Sequence, residues 1–234
     1  MTTRRTERSV GDIAHRSILV LAKAPEPGRV KTRLVPPLTH DQAAALAEAA
    51  LADTLDAVLA CRAERRILVL EGSPGPWLPA GIDVQPQRGE DLADRLAAAW
   101  STVTAGSTLQ IGMDTPQLTG ADLDEAFETL ERPGVDAVLG PAADGGWWAI
   151  GMRRPDPSVF AGIPTSTADT GRLQQAALEG RGWRVACLPV LQDVDTGGDV
   201  AQVAGLALST RFAREASRLG LAVDGAHAGQ GVPR

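Results

Sequence analysis

The stretch Ser17-Ile18-Leu19-Val20-Leu21-Ala22-Lys23-Ala24-Pro25-Glu26-Pro27-Gly28-Arg29-Val30-Lys31-Thr32-Arg33-Leu34 decides the fold reading. Its first six residues form a short, nearly unbroken apolar run, the composition of a strand covered on both faces inside a parallel sheet. The Pro- and Gly-rich segment that follows can continue neither as strand nor as helix. Thr39 then reads as the N-cap of a long alanine-rich helix with Leu46, Leu51, Leu55 and Leu59 at helical spacing. Buried strand, loop and long helix together are the opening unit of a layered α/β sheet.

The same alternation recurs outward from this unit. Residues 66–71 read as a second buried strand, 82–86 as a third, and 90–103 as a helix with Leu92, Leu96 and Trp100 on one face. A fourth strand over 108–112 and a helix over 120–131 follow. The fifth and sixth strands, 135–140 and 146–151, lie too close together for a helical crossover, so one of them runs antiparallel or is displaced at the edge. Residues 167–180 read as a helix, 183–188 as a strand and 198–219 as one or two helices. The expected fold is a three-layer α/β/α domain over 17–219 with a mixed, mostly parallel sheet, between a disordered basic arm at 1–16 and a loose tail at 220–234.

Composition narrows the function. The chain has 234 residues, with 23 Lys and Arg against 29 Asp and Glu, a net charge of −6. An acidic chain is a poor partner for nucleic acid or an anionic membrane surface. No apolar run approaches the ~20 residues of a membrane span, and the stretch after the basic leader is too short for a signal peptide, so a cytoplasmic location is expected. Cys61 and Cys187 stand alone, without a C-x-x-C, so neither a disulfide framework nor a zinc site is suggested. His15, His40 and His227 fall in the leader, at a helix start and in the tail, and there is no G-x-S-x-G, which weighs against a Ser-His-Asp hydrolase. Neither G-x-G-x-x-G nor a Walker loop is present.

In open α/β sheets ligands bind beyond the C-terminal strand ends. After the first strand, Lys23, Arg29, Lys31 and Arg33 surround Gly28, a set that suits an anion with several phosphate oxygens; a solvated basic loop is the alternative. After the fourth, Gly112-Met113-Asp114-Thr115-Pro116 puts a carboxylate where it could hold Mg²⁺ beside substrate phosphates; a turn or cap is the alternative. Asp144-Gly145-Gly146 permits close ligand approach, although on its own it reads first as an ordinary hairpin turn. Trp147 and Trp148, if on a strand, point to opposite faces, one into the core and the other free to wall a pocket. Asp193 and Asp195 share one face at strand spacing, suited to a shared cation, and Asp199 reads as a helix cap or first-turn acid. A basic loop opposing aspartates is the division of labour for metal-assisted transfer from a nucleoside di- or triphosphate.

Four segments taken together, residues 21–34, 112–118, 140–151 and 193–196, resemble the DUF2064 family. That family is grouped with the glycosyltransferase A superfamily and is similar to 2-phospholactate guanylyltransferases and molybdenum-cofactor nucleotidyltransferases; its members are often labelled glycosyltransferases. The resemblance covers roughly residues 17–206 and implies a nucleotide-diphospho-sugar transferase fold. It implies triphosphate binding by Lys23, Arg29, Lys31 and Arg33. Asp114 would be a first metal ligand, with Asp193 and Asp195 a second contact, for Mg²⁺ or Mn²⁺. Asp144, Gly145, Gly146 and Trp147, with Ser166 and Thr167, would border the acceptor. Where relatives commonly carry Trp-Ser-Thr this chain has Thr165-Ser166-Thr167, so an aromatic wall is expected to be missing.

The leading expectation is nucleotidyl transfer from a nucleoside triphosphate to a phosphorylated small molecule, with Lys31 and Arg33 stabilising departing pyrophosphate. The runner-up is glycosyl transfer from a nucleotide sugar with Asp144 as base. A non-catalytic nucleotide-binding module is the third. No nucleic-acid or membrane partner is expected, and homodimerisation is left open.

Overall fold

The computed structural model describes residues 15–221, so residues 1–14 of the expected arm and the tail from 222 onward, His227 included, lie outside the described residues. The strands are β1 (Arg16–Lys23), β2 (Arg65–Glu71), β3 (Asp83–Pro86), β4 (Ser107–Ile111), β5 (Ala137–Pro141), β6 (Trp147–Met152) and β7 (Val185–Cys187). They form one sheet in the order β3-β2-β1-β4-β6-β5-β7. The helices are α1 (His40–Ala60), α2 (Leu92–Trp100), α3 (Gly120–Leu130), α4 (Thr170–Glu179), α5 (Gly197–Leu206) and α6 (Arg211–Arg218).

β1 pairs in parallel with both β2 and β4, so their C-terminal ends, and the loops that leave them, emerge side by side. Of the two closely spaced strands, β6 is the antiparallel one, and it sits inside the sheet between β4 and β5 rather than at an edge. A short turn suffices to join β5 to β6 because an antiparallel neighbour needs no crossover.

Successive β1 residues alternate between two cores. Ile18, Val20 and Ala22 join α1 and α3 on one face, and Leu19 joins α2, α4 and the 3₁₀ turn Pro157–Phe160 on the other. A third cluster, with Leu46, Val200 and Phe212, lies between α1 and the pair α5 and α6. α1 is therefore covered on two sides, which explains its alanine content: small side chains allow close approach to the sheet and to the outer helices. Its start is fixed as expected, with Thr39 and Gln42 forming a reciprocal capping box.

Two boundaries differ from expectation. Arg16 belongs to β1 rather than to a loose arm. Its guanidinium donates to Glu131 at 3.0 Å and 2.6 Å and lies 5.2 Å from the centre of the Phe127 ring. Gly220 and Leu221 are likewise part of the fold. Gly220 takes φ 70° to end α6, and the Leu221 N–H returns to the Ala216 carbonyl at 2.9 Å. No helix among the described residues is long and apolar enough to cross a membrane.

The outer layer hangs on Asp53, a buried α1 carboxylate that accepts from the backbone N–H groups of Arg211 (3.0 Å) and Phe212 (2.7 Å) at the start of α6. We expect Asp53→Ala to destabilise by roughly 2 kcal/mol, because it leaves a buried donor unpaired. A urea midpoint unchanged from wild type would refute that role.

Candidate functional site

Lys31 is the pivot of the loop after β1. Its backbone is left-handed (φ 48°), and it shares positive φ with only one other non-glycine residue described, Ser166 (φ 60°). Such strain persists where surroundings over-determine the geometry. The Lys31 side chain is only 8% exposed, and its ammonium donates to Asp114 Oδ1 at 2.5 Å and to the Val194 carbonyl. The Val194 N–H in turn donates to the Asp114 carbonyl at 2.9 Å. One cation thus fastens three loops, those after β1, β4 and β7. Arg33 pairs with Asp195 in the same way across the mouth. The basic loop and the aspartates therefore touch one another directly.

A second charge group lies alongside. Glu71, at the end of β2, is met by Lys23 at 3.8 Å, Arg29 at 3.4 Å and by Arg95 of α2. Burial pushes the Glu71 carboxyl up, but the Arg95 hydrogen bond and the charges of Lys23, Arg95 and Arg29 outweigh it and hold it below the ordinary carboxylate range. Gln87, just past β3, donates to the Ala22 and Val69 carbonyls, stitching the three strand ends together. Strand-end position could have singled out Glu71 and Gln87 in the sequence. Arg95 needed the fold.

Lys23, Arg29, Lys31, Arg33 and Arg95, with Gln87, line one cavity of about 320 Å³. Beside it lies a second cavity of about 300 Å³, and Leu21, Leu92 and Asp114 belong to both walls. Asp114 stands at their boundary.

The second cavity gathers Asp144, Gly146, Trp147, Ser166, Thr167 and Asp193 of the expected residues, while Gly145 is not in its wall. Trp147 packs against the α2 and α4 side while Trp148 joins the α1 and α3 core, the opposite faces expected of neighbours on a strand; the register shift at Gly140 and Pro141 breaks the alternation one residue later, leaving Trp148 and Ala149 in the same core. Trp148 is anchored by donation to the Pro189 carbonyl at 2.9 Å. Both indoles and Phe160 line the cavity, so aromatic walls are present although Thr165 is not aromatic. The Asp144-Gly145-Gly146 turn closes on itself through Gly146 N–H to Asp144 at 2.8 Å. It also packs tightly on the start of α4: a Cβ on Gly171 would lie 2.5 Å from the Gly146 carbonyl oxygen, and one on Gly145 would meet the Ala168 carbonyl. Gly28, by contrast, would place a Cβ no closer than 3.9 Å to its nearest neighbour, the His40 ring, and is required by its φ of 77° rather than by close packing.

Asp193 and Asp195 do not share a face. The segment carrying them is not a strand; Val194 between them is buried in the outer core, Asp193 lines the second cavity and Asp195 the basic one. Burial pushes the Asp193 carboxyl up, with the charges of Asp144, Asp114 and Asp195 adding to it against its own backbone N–H. Asp199 accepts from Thr196 N–H at 2.6 Å, completing a capping box at the start of α5.

Among the described residues no group of three or more His, Cys, Asp or Glu side chains is set to hold a metal by itself. Mg²⁺ needs only one or two carboxylates when substrate phosphates and water complete its shell, and hard oxygen donors suit Mg²⁺ or Mn²⁺. Asp114 and Asp193, facing one cavity, fit that limited demand.

A family model described as "Uncharacterized protein conserved in bacteria (DUF2064)" matches residues 45–167. The 2-phospho-L-lactate guanylyltransferase of Haloarcula marismortui is 33% identical over 130 residues, 54% of this chain and 57% of that protein. The match thus spans little more than half the length of that curated relative. A crystal structure from Desulfovibrio desulfuricans G20, provisionally described as a nucleotide-diphospho-sugar transferase, superposes with a TM-score of 0.78 at 27% identity over 91% of this chain and all of that one (100%). Rv0371C of Mycobacterium tuberculosis H37Rv, solved in complex with manganese, superposes with a TM-score of 0.50 at 24% identity over 83% of this chain and 99% of that one. The fold is accordingly that of the nucleotide-diphospho-sugar transferases.

Replacing Glu71 by Gln should leave Lys23 and Arg95 without their counter-charge, and Arg29 with Glu26 alone, and destabilise by about 1 kcal/mol at neutral pH. Because the Glu71 carboxyl is held low, the stability it contributes is present above the ordinary carboxylate pKa and fades as pH falls through its depressed value. Unfolding free energies of wild type and Glu71→Gln should therefore converge as the pH falls below the ordinary carboxylate range; a gap that stays constant with pH would disprove the assignment.

Proposed function

The chain belongs to the DUF2064 family, and from that premise we propose that it is a nucleotide-using transferase whose donor phosphates bind in the cavity of Lys23, Arg29, Lys31, Arg33 and Arg95. The observation that carries this reading is the placement of five cationic side chains around one strand-end cavity whose far wall is the Asp114 carboxylate. The described residues act as one catalytic domain, in a cytoplasmic setting where nucleoside triphosphates are plentiful.

Nucleotidyl transfer is the favoured reaction, in line with the guanylyltransferase activity named for the Haloarcula relative. An acceptor oxygen, entering from the second cavity, attacks the α-phosphorus; the α–β phosphoanhydride bond breaks and pyrophosphate leaves. Lys31 and Arg33 exchange their carboxylate partners for phosphate oxygens and stabilise the departing charge. Asp114, released from Lys31, and Asp193 are then free to hold Mg²⁺ or Mn²⁺, which when bound supplies charge neutralisation and orients the phosphates. The backbone bond from Val194 to Asp114 keeps the two loops in place during the exchange. No histidine is required, because phosphoryl transfer of this kind depends chiefly on positioning and electrostatics.

Glycosyl transfer from a nucleotide sugar is the second reading, favoured by one observation: the second cavity offers aromatic walls and the Asp144 carboxylate but no cation among its described lining residues.

Thermal unfolding with nucleoside triphosphates and nucleotide sugars, each with and without Mg²⁺ or Mn²⁺, separates the readings. A triphosphate at about 100 times its Kd should stabilise by about 2.7 kcal/mol in a metal-dependent manner, and Lys31→Ala should abolish most of the gain. Asp114→Asn should lower turnover by roughly 100-fold or more. Stabilisation by a nucleotide sugar above every triphosphate would establish the second reading, and no nucleotide effect at all would refute both.

A further inference from the structure

Two glutamines in the wall of the second cavity take no part in the reaction outlined above. Gln110 of β4 and Gln174 of α4 are 2% and 1% exposed, and both line the cavity. Gln110 is level with Leu19 of β1 and Ile150 of β6, on the α2 and α4 side of the sheet. Asp114 follows four residues later, which is at most roughly 14 Å of chain. Gln174 lies one turn into α4, whose start packs on the Asp144 turn. Both glutamines therefore lie beneath the carboxylates of the mouth, among apolar neighbours such as Leu96 and Phe160.

Each carboxamide is tied to the protein at one end, and chemistry fixes which end. The Trp100 indole N–H can only donate, so it meets the Gln110 oxygen; the Val159 carbonyl can only accept, so it meets the Gln174 amide nitrogen, at 3.0 Å. Among the described residues this leaves the Gln110 NH₂ without an acceptor and the Gln174 Oε1 without a donor. Neither free end is sealed in, since the unpartnered side-chain atoms shut off from solvent are Thr108 Oγ1, Thr115 Oγ1 and Gln117 Oε1. The free ends open into the cavity that both residues line. Polar groups at such depth are ordinarily paired, and here the pairing is left to whatever enters.

We propose that Gln110 and Gln174 are specificity-determining residues that read an uncharged group of the second substrate able to accept and to donate at once, a hydroxyl or a carboxamide. The role of acceptor substrate rests on the transferase reading. The group sits at the end remote from the reaction; the reacting end, whatever its charge, stays with Asp114, Asp193 and any cation they hold at the mouth. An ether or a carboxylate at the remote end would satisfy Gln110 but set a second acceptor against the Gln174 oxygen. A site built to hydrogen-bond a substrate group rejects the analogue that lacks it, because its own buried atoms then stay unpaired.

The test is solution NMR of the indole N–H signals of the full chain without nucleotide. The Trp100 N–H donates to Gln110, so its signal reports engagement of that amide, and it is identified as the signal lost in Trp100→Phe. Benzamide and benzyl alcohol are compared with N,N-dimethylbenzamide and benzyl methyl ether, which keep the acceptor and lose the donor. In the wild type, benzamide or benzyl alcohol should move the Trp100 signal at roughly tenfold lower concentration than its methylated counterpart, about the worth of one hydrogen bond, and the one that does so names the group. Gln174→Met should erase that difference, which separates lost pairing from the mere size of a methyl group. Gln110→Glu, still able to accept from Trp100, should weaken the bound probe roughly tenfold at neutral pH. Equal binding of the methylated probes by the wild type, a difference that survives Gln174→Met, or a Trp100 signal that no probe moves would overturn the proposal. The wild-type comparison needs no substitution, so it decides the matter even where a variant fails to fold. Because no nucleotide is present, failure of the donor reading leaves this result standing, and the reverse also holds.

Discussion

A single buried ammonium holds the site together. Lys31 has water on almost none of its side chain, and its charge is met by a carboxylate from one strand end and a carbonyl from a segment much farther along the chain. Desolvating an ammonium is costly unless its donors are filled, so the loops of β1, β4 and β7 must come together wherever that side chain is buried. The left-handed backbone of Lys31 is the strain that this arrangement over-determines. Everything else at the site follows from the three loops being held at one point.

The sheet supplies the other half of the constraint. Parallel pairing of β1 with β2 and β4 places their ends in a row, so charges separated by long stretches of sequence arrive within one cavity's width. The antiparallel β6 then brings the Asp144 turn to the same rim by a different route. The division into one basic and one acidic chamber is a product of topology: the first is lined chiefly from β1 and its loop, from Gln87 after β3 and from α2, the second from the β4, β5 and α4 connections.

Sequence reading recovers what is local. The apolar run of β1, the Thr39 capping box and the period of α1 depend on residues within a few positions of each other, and these elements lie where they are expected. It stops where partners are distant. Spacing alone excludes a crossover between β5 and β6 but cannot say that β6 inserts beside β4. Arg16 reads as leader because its anchor, Glu131, is 115 residues away. The cations and aspartates of the site are legible as a set, yet their direct pairing is invisible, since Lys31 and Asp114 are 83 positions apart. The shared face assigned to Asp193 and Asp195 fails for a local reason: two-residue spacing implies one face only on a strand, and this segment is an extended loop with Val194 turned inward.

α5 and α6 lie outside α1 and away from the sheet, yet α5 begins two residues after Asp195, so one acid of the rim is carried by the outermost layer of the molecule while Asp114 and Asp144 stay on the sheet's own loops. The basic loop, by contrast, leaves the central strand β1. The two sides of the cleft therefore belong to parts of the structure with different cooperativity, one inseparable from global folding and the other able to open with the outer helix pair. Of the ion pairs at the cleft, Arg33 to Asp195 is the one whose acid is attached to these helices, so displacing them would part that pair while leaving Lys31 and Asp114 joined on the sheet.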